Sequence, residues 1–397
     1  MQFRINRKAM LSAVAMTEVV SRGAQVIEIL KSLRIEVSEE RGLDILGSDH
    51  ACYVAARVPV ADDAPVEPGV TLLNAKRLVG FLRSLEDDEI GFQTTASGKH
   101  MNILSTTGKH TLFCEDAEAF PTVRRDYEEA ATVAKSGELV GMLSSVFPFS
   151  MWDGSDAKLQ AVYFRVNEEE RNVVAMATDR RRAAAASMPL DHFESERAFL
   201  MTNRSARALC SVLGKADEWP TTIGYQDGQL VIENQDVFFL ARTVDDEFPY
   251  DMMIERFFDQ SQHQSVVFQA EALGKTLDRV SLVADWQTPL VEFEFEGSTV
   301  KIGTEETAKS GVVEEEATVE GEATGRIKLV VRLLEESLTH AECGIITMRV
   351  PPDGKKNAPV FIEGAWGDDT KRPHTHLSGI MPITLKDPPA PESAPDE

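Results

Sequence analysis

A single unit occurs three times along this chain, and that repetition constrains the fold more than any other feature. Each copy reads as a short strand, a helix, several strands, an apolar strand, a second helix and further strands. The first-helix copies open at Asn6-Arg7-Lys8, Ser136-Gly137-Glu138 and Gln269-Ala270-Glu271, each after a β-rich run. Asn6 and Ser136 suit an N-cap, because their side-chain oxygens can accept a helix's orphan N–H groups; Gln269 suits it poorly. In the second-helix copies Leu78, Phe81, Leu82 and Leu85 fall at i, i+3, i+4, i+7, as do Ala206, Leu209, Cys210 and Leu213. Val330, Leu333 and Leu334 continue the pattern, with Ser337 in the last place. Such spacing puts one apolar stripe on each helix. A basic residue stands two places before each stripe, at Lys76, Arg204 and Lys328, with spacings of 128 and 124. The expected helices are therefore 7–22, 74–85, 137–147, 203–215, 270–285 and 326–337.

Alternating runs with turn signals such as Arg41-Gly42, Asp227-Gly228, Glu296-Gly297 and Asp353-Gly354 fill the space between helices. The class is α+β, three domains of two helices packed on antiparallel sheets. With roughly 150 residues per domain, 397 residues allow two or three. The expected bounds are 1–125, 126–256 and 257–385, followed by an acidic, Pro-rich tail, 386–397, expected to be disordered.

Hydrophobic residues make up 43% of the chain, enough for sizeable cores. No apolar run reaches the ~18 residues of a membrane span. The N-terminus lacks a signal-peptide layout. Cys52, Cys114, Cys210 and Cys343 are scattered singly, which argues for the cytoplasm and against a disulfide framework or zinc site. The net charge of −24 argues against nucleic acid only if the charge is evenly spread. It is not. The six expected helices carry +2, +3, −1, +3, −1 and +1, so the remainder carries −31. Helices that faced one way would attract phosphate while the strands and loops repelled it.

Catalytic and metal-binding patterns are weak. Gly274-Lys275-Thr276 ends like a phosphate-binding loop, but Gln269 stands where that motif needs glycine. His374-Thr375-His376 offers two metal ligands without a third, and Asp49-His50 reads as a loop. The acidic cluster Glu305, Glu306, Glu314, Glu315, Glu316, Glu320 and Glu322 has no calcium-loop spacing. These readings give no enzyme, no cofactor and no metal.

Three separated stretches carry a family resemblance: Ala177-Thr178-Asp179-Arg180-Arg181-Arg182-Ala183, Glu247-Phe248-Pro249-Tyr250-Asp251, and Ser378-Gly379-Ile380-Met381-Pro382-Ile383-Thr384-Leu385. In this order, with three repeats, residues 1–385 resemble the bacterial DNA polymerase III beta subunit, the beta sliding clamp. The resemblance implies a homodimeric closed ring with helices inside, encircling double-stranded DNA without sequence preference. It implies a non-catalytic processivity factor of the polymerase holoenzyme. Its implied partners are DNA polymerase III subunits, the clamp loader and repair polymerases, bound through a peptide cleft. Carried over, that cleft comprises Leu159, Thr178, Arg181, Arg182, Ala183, Pro249, Ile254, Met381, Pro382 and Ile383. The DNA-facing residues would be Lys76, Arg77, Arg83, Arg204 and Arg207, with Arg22, Lys215 and Lys328. Leu112 and Phe113 of one subunit would meet Leu282 and Val283 of the other. Departures cluster in the cleft: Arg180-Arg181-Arg182-Ala183 replaces Gly-His-Arg-Leu, and Ile383-Thr384-Leu385 replaces Met-Arg-Leu. They motivate an alternative, a clamp-fold scaffold that binds proteins without loading on DNA. The acidic tail would begin close to Arg180–Arg182 and compete there with peptides.

Overall fold

The computed structural model describes residues 1–23, 27–38, 42–60, 65–125, 129–190, 192–214, 219–285, 287, 289–304, 311–341, 344–352, 358–365 and 375–383. Lys215, Cys343, Glu305, Glu306, His374 and the 386–397 segment lie outside them.

The chain folds as two compact units. The first comprises Met1–Phe147, Trp152–Ala175 and Met188–Asp246; the second comprises Pro148–Met151, Met176–Ser187 and Glu247–Glu397. In the first unit a nine-stranded sheet runs, in hydrogen-bonded order, His192–Phe193, Glu129–Lys135, Pro220–Gln226, Gln229–Glu233, Val237–Arg242, Cys52–Val58, Gly42–Ser48, Ser32–Ser38 and Gly69–Asn74. The joint is Val237–Arg242 against Cys52–Val58, with Phe239 opposite Val54. The hairpin that turns at Asp227-Gly228 has both residues at positive φ, +47° and +75°, the geometry that the Asp-Gly pair predicts. A four-stranded sheet, Gln2–Asn6, Glu89–Thr94, His100–Ser105 and Gly108–Phe113, leaves the last strand as an edge. Leu30, Leu46, Tyr53, Leu72, Phe120 and Phe238 are buried together in one core cluster.

Among the described residues four α-helices belong to this unit: Arg7–Ser21, Ala75–Ser84, Ser136–Val146 and Asn203–Leu213. Asn6 caps the first, its Oδ1 accepting from the Ala9 amide at 3.1 Å. Ser136 is not a cap: it is the first helical residue, buried, and Lys135 takes the cap position without a side-chain bond to a helix amide.

The second unit holds strands Thr375–Ile380, Val360–Ala365, Ile345–Val350, Gln264–Gln269, Glu314–Val330 and Leu290–Gly303 in that order. Thr375–Ile380 also pairs antiparallel with the Arg182–Ser187 stretch, Arg182 opposite Ile380 and Ser187 opposite Thr375. Its helices are Ala270–Val283 and Val331–Ala341, packed through Leu277, Val280 and Leu334 onto Phe293, Ile346 and Ile362. The strand pairings among the described residues of both units are antiparallel, so the architecture is α+β as expected. The expected helix 326–337 is corrected: Arg326–Val330 is strand, and the helix starts at Val331. The run Ile327-Lys328-Leu329-Val330 is half β-branched and pairs with Leu290–Phe293, so ladder bonds win over helix.

Candidate functional sites

With that correction the three second helices begin at Ala75, Asn203 and Val331, 128 residues apart in both intervals. The second helical residue is Lys76, Arg204 or Arg332. Asn74 Oδ1 accepts from the Arg77 amide and Thr202 Oγ1 from the Ser205 amide, both at 3.1 Å, so the first two helices start from side-chain caps. Leu78 and Leu82 in one, and Ala206, Leu209 and Leu213 in the other, are buried. The opposite faces then present Lys76, Arg77, Arg83, Arg204 and Arg207 to solvent. Among the described residues none of these five makes an ion pair, although Arg207 lies over the Trp152 ring at 5.8 Å. A groove of about 550 Å³ lies between the Arg7–Ser21 and Ala75–Ser84 helices, lined by Glu18, Arg22, Lys31, Lys76, Gly80 and Arg83. Arg22 is exposed but held by Glu18, Nε to Oε1 at 2.6 Å, which raises its pKa further.

The second unit treats its helical cations differently. Lys275 pairs with Glu271 at 2.6 Å, Arg279 with Glu315 at 2.7 Å and Arg332 with Glu336 at 3.4 Å. The partners hold the Glu271 and Glu315 carboxyls below the usual range. Lys328, expected on a DNA-facing helix, is instead a strand residue only 9% exposed, opposite Glu292 with its Nζ 4.0 Å from that carboxylate. The residue sequence reasoning missed is Arg332, 74% exposed in its side chain. An unbroken spacing of 128 was the signal that would have found it. Gly274-Lys275-Thr276 sits inside the Ala270–Val283 helix, not in a loop.

The corner Thr178–Arg182 is built by short side-chain bonds. Thr178 Oγ1 donates to the Arg182 carbonyl at 2.7 Å and accepts from the Arg180 amide at 3.3 Å. Asp179 Oδ1 accepts from the Arg181 and Arg182 amides at 2.9 and 3.0 Å. Arg180 takes the left-handed conformation, φ +76°. The three consecutive arginines then diverge. Arg180 and Arg181 are exposed, whereas Arg182 is 4% exposed. Its guanidinium pairs with Asp179 at 3.1 Å and with Glu336, donates to the Pro148 carbonyl at 3.0 Å and covers the Phe149 ring at 4.8 Å. Arg182 and Ala183 were expected on a cleft wall; both side chains are buried, Arg182 as a packing node and Ala183 beneath the ladder opposite Gly379. Thr178 and Leu159 are likewise nearly buried, at 8% and 7%.

Beside the corner, the Met381 amide bonds the Arg181 carbonyl at 2.8 Å, and the Ile383 amide bonds the Lys328 carbonyl at 2.8 Å. Met381 and Pro382 are half-buried and Ile383 is 41% exposed. Pro249 precedes a helical turn, Tyr250–Phe257, anchored by buried Met253 and presenting Met252 and Ile254. That segment packs through Phe257 onto Gly379, where an added Cβ would lie 2.7 Å from the ring, so only glycine fits.

Residues 1–124 match the DNA polymerase III beta subunit, N-terminal domain. The beta sliding clamp of Lactococcus lactis is 25% identical over 328 residues, covering 80% of this chain and 83% of that protein. The crystal structure of the DNA polymerase III beta chain from Streptococcus pneumoniae superposes with a TM-score of 0.85 at 19% identity, over 97% of this chain and all of that one. The beta subunit from Thermotoga maritima gives 0.83 at 21% identity with the same coverage. Over most of its length the chain is thus similar to beta sliding clamps, and its first 124 residues match the N-terminal domain of the DNA polymerase III beta subunit.

Of the four residues expected at the subunit contact, Phe113 and Leu282 are exposed. Phe113 is 59% exposed on the edge strand Gly108–Phe113, next to half-buried Leu112. Leu282 is 85% exposed at the end of its helix, beside half-buried Val283. A leucine and a phenylalanine this open on ordered elements are the kind of apolar surface that marks an interface. No helix among the described residues is long and apolar enough to cross a membrane.

Proposed function

We propose that the chain works as a DNA sliding clamp in the cytoplasm, a non-catalytic processivity factor that closes as a homodimer around duplex DNA. The observation that carries this is the set Lys76, Arg77, Arg83, Arg204 and Arg207, exposed and, among the described residues, without carboxylate partners on repeated helices of a clamp fold, in a chain of net charge −24. Such cations attract phosphate irrespective of base sequence, and their contacts weaken with salt. Weak contacts suffice when topology holds the ring, and they let it slide. Arg22 supports the same face through the groove it lines, and Lys328 is withdrawn from it. Phe113 and Leu112 of one subunit meet Leu282 and Val283 of the next. Domain bounds at 1–125, 126–256 and 257–385 follow the family's plan. Met381, Pro382, Ile383, Pro249, Ile254 and Arg181 form the cleft for polymerase, loader and repair-polymerase peptides.

The test is topological. The protein is loaded on nicked circular duplex by its cognate loader, passed through a sizing column, then the circle is linearised and the passage repeated. Retention on the circle and release from the linear form is expected. Equal retention on both, or none on either while a known clamp is retained, overturns the proposal. The double reversal Lys76→Glu/Arg204→Glu is expected to lower the slope of log affinity against log salt by about two, since each lost phosphate contact contributes about one.

A further inference from the structure

We infer that the groove between the Arg7–Ser21 and Ala75–Ser84 helices binds a nucleoside triphosphate, with the phosphate chain held by cations of both walls and the flat base lying on the helix backbone at Gly80. Three observations combine. First, the groove has the size of a small-molecule site, about 550 Å³, between two regular helix faces. Glu18, Ser21 and Arg22 stand at i, i+3, i+4 along one wall, and Lys76, Gly80 and Arg83 at i, i+4, i+7 along the other. Second, four cations line it against one carboxylate: Arg22, Lys31, Lys76 and Arg83 against Glu18. Glu18 is 5% exposed and is already engaged in holding Arg22. Lys31 pairs with Glu28 in an exposed contact that is easily exchanged. Lys76 and Arg83 have no carboxylate partner among the described residues. Third, Gly80 is bare without a structural need for it. It lies inside its helix, its φ is not positive, and a Cβ added there would meet nothing within 4 Å. Neither a turn nor close packing calls for glycine, which weakens a helix relative to alanine. The missing side chain leaves the floor of the groove open beside buried Ala75 and Val79.

A triphosphate spreads its charge along a chain of oxygens, so cations on two facing walls can meet it where a single phosphate would reach fewer of them. Arginine does so through paired, charge-assisted hydrogen bonds and lysine as a point charge. Uncovered helix backbone beside alanine and valine gives a planar base an apolar seat. Duplex DNA would draw on Lys76 and Arg83 as well, but its stacked bases cannot reach the floor at Val79 and Gly80. A free nucleotide can, and the bare floor favours it. The inference stands apart from the clamp reading, because every lining residue comes from one subunit and neither ring nor loader is needed.

The experiment titrates the full chain with a fluorescent ATP analogue, follows anisotropy, and competes the probe with unlabelled ATP, inorganic tripolyphosphate and adenosine. Saturable binding is expected, with ATP competing about tenfold better than tripolyphosphate and adenosine weakest, because base and phosphates both contribute. Gly80→Leu, which puts a side chain on the floor, is expected to weaken binding about tenfold; a melting temperature no lower than that of the unaltered chain shows that it is folded. Gly80→Ala adds only a Cβ that meets nothing and is expected to stay within about twofold. Lys76→Gln/Arg83→Gln is expected to lose about tenfold for ATP and nothing for adenosine. Binding that never saturates overturns the inference. So does equal competition by ATP and tripolyphosphate, which reduces the groove to a general anion surface. Unchanged ATP affinity in folded Gly80→Leu also overturns it, because the nucleotide then sits elsewhere. None of these outcomes bears on retention on nicked circles, which tests the clamp reading by itself.

Discussion

The corner Thr178–Arg182 has a twin at Ser48–Cys52, in the other unit and 130 residues earlier. In the twin, Ser48 Oγ donates to the Cys52 carbonyl at 3.0 Å and accepts from the His50 amide at 3.3 Å. Asp49 Oδ1 accepts from the Ala51 and Cys52 amides at 3.0 and 2.8 Å, and His50 has φ +76°. Every one of these bonds has its counterpart at Thr178, Asp179 and Arg180, including the same positive φ. What differs most is the last three side chains: His50, Ala51 and Cys52 in one, Arg180, Arg181 and Arg182 in the other. The backbone of the corner is therefore a property of the repeat.

The position occupied by Cys52 and Arg182 gives the largest contrast. Cys52 is buried with its Sγ 2.9 Å from Ser205 Oγ, a small side chain with one polar neighbour. Arg182 holds two carboxylates, a carbonyl and a ring. Arg182→Ala should cost about 3 kcal/mol of unfolding free energy, because it strands charges and leaves a gap. Cys52→Ala should cost about 1 kcal/mol. Denaturant unfolding of both variants measures the difference, and equal losses would remove the contrast. The aspartates sharpen the likeness instead. Asp49→Ala and Asp179→Ala each unpair two backbone amides and should each cost about 1–2 kcal/mol, the loss typical of a side-chain cap. A loss at one corner only would mean that the frames are not equivalent.

How far the sequence revealed this can be argued from the same residues. The first two second helices were legible, because an apolar stripe and a polar cap are local signals and both lie within a few residues of Leu78 and Ala206. The third was misplaced by about one turn, since Val330, Leu333 and Leu334 satisfy the helical spacing by accident while Ile327–Val330 pairs with a strand. Local pattern cannot separate those cases; the 128-residue period could, and it points to Arg332. The three arginines look alike in sequence. Arg182 is buried because Glu336 and Phe149 meet it from remote parts of the chain, which no local pattern announces. The twin corner was in plain view as Ser48-Asp49-His50 against Thr178-Asp179-Arg180. It read as a loop because a hydroxyl and an aspartate signal a turn without saying what the turn carries.

Backbone strain offers a smaller test of the comparison. His50 and Arg180 both pay for a left-handed conformation, and His50→Gly and Arg180→Gly should each stabilise by up to ~1 kcal/mol, less the entropy that glycine adds to the unfolded chain. Thermal unfolding reads both. A gain at one corner and a loss at the other would show that a side-chain contact at that corner outweighs the strain.

The smallest effect separates the two corners by titration. Burial is the main cause that pushes the Cys52 thiol well above its ordinary pKa, with the Asp49 carboxylate adding to it. A group whose pKa is raised by folding stabilises fully below its unfolded pKa and loses that contribution as pH rises beyond it. For an unfolded thiol near 8.5, about 0.4 kcal/mol is lost by pH 8.5 relative to pH 7. Cys114 and Cys210 are raised in the same direction, so the whole chain shows a steeper decline. The Cys52→Ala difference between pH 7 and pH 8.5 isolates the share that belongs to this corner. Rapid reaction of Cys52 with a thiol reagent in the native protein at pH 8 would contradict the assignment, because a buried neutral thiol beside a carboxylate is neither accessible nor ionised.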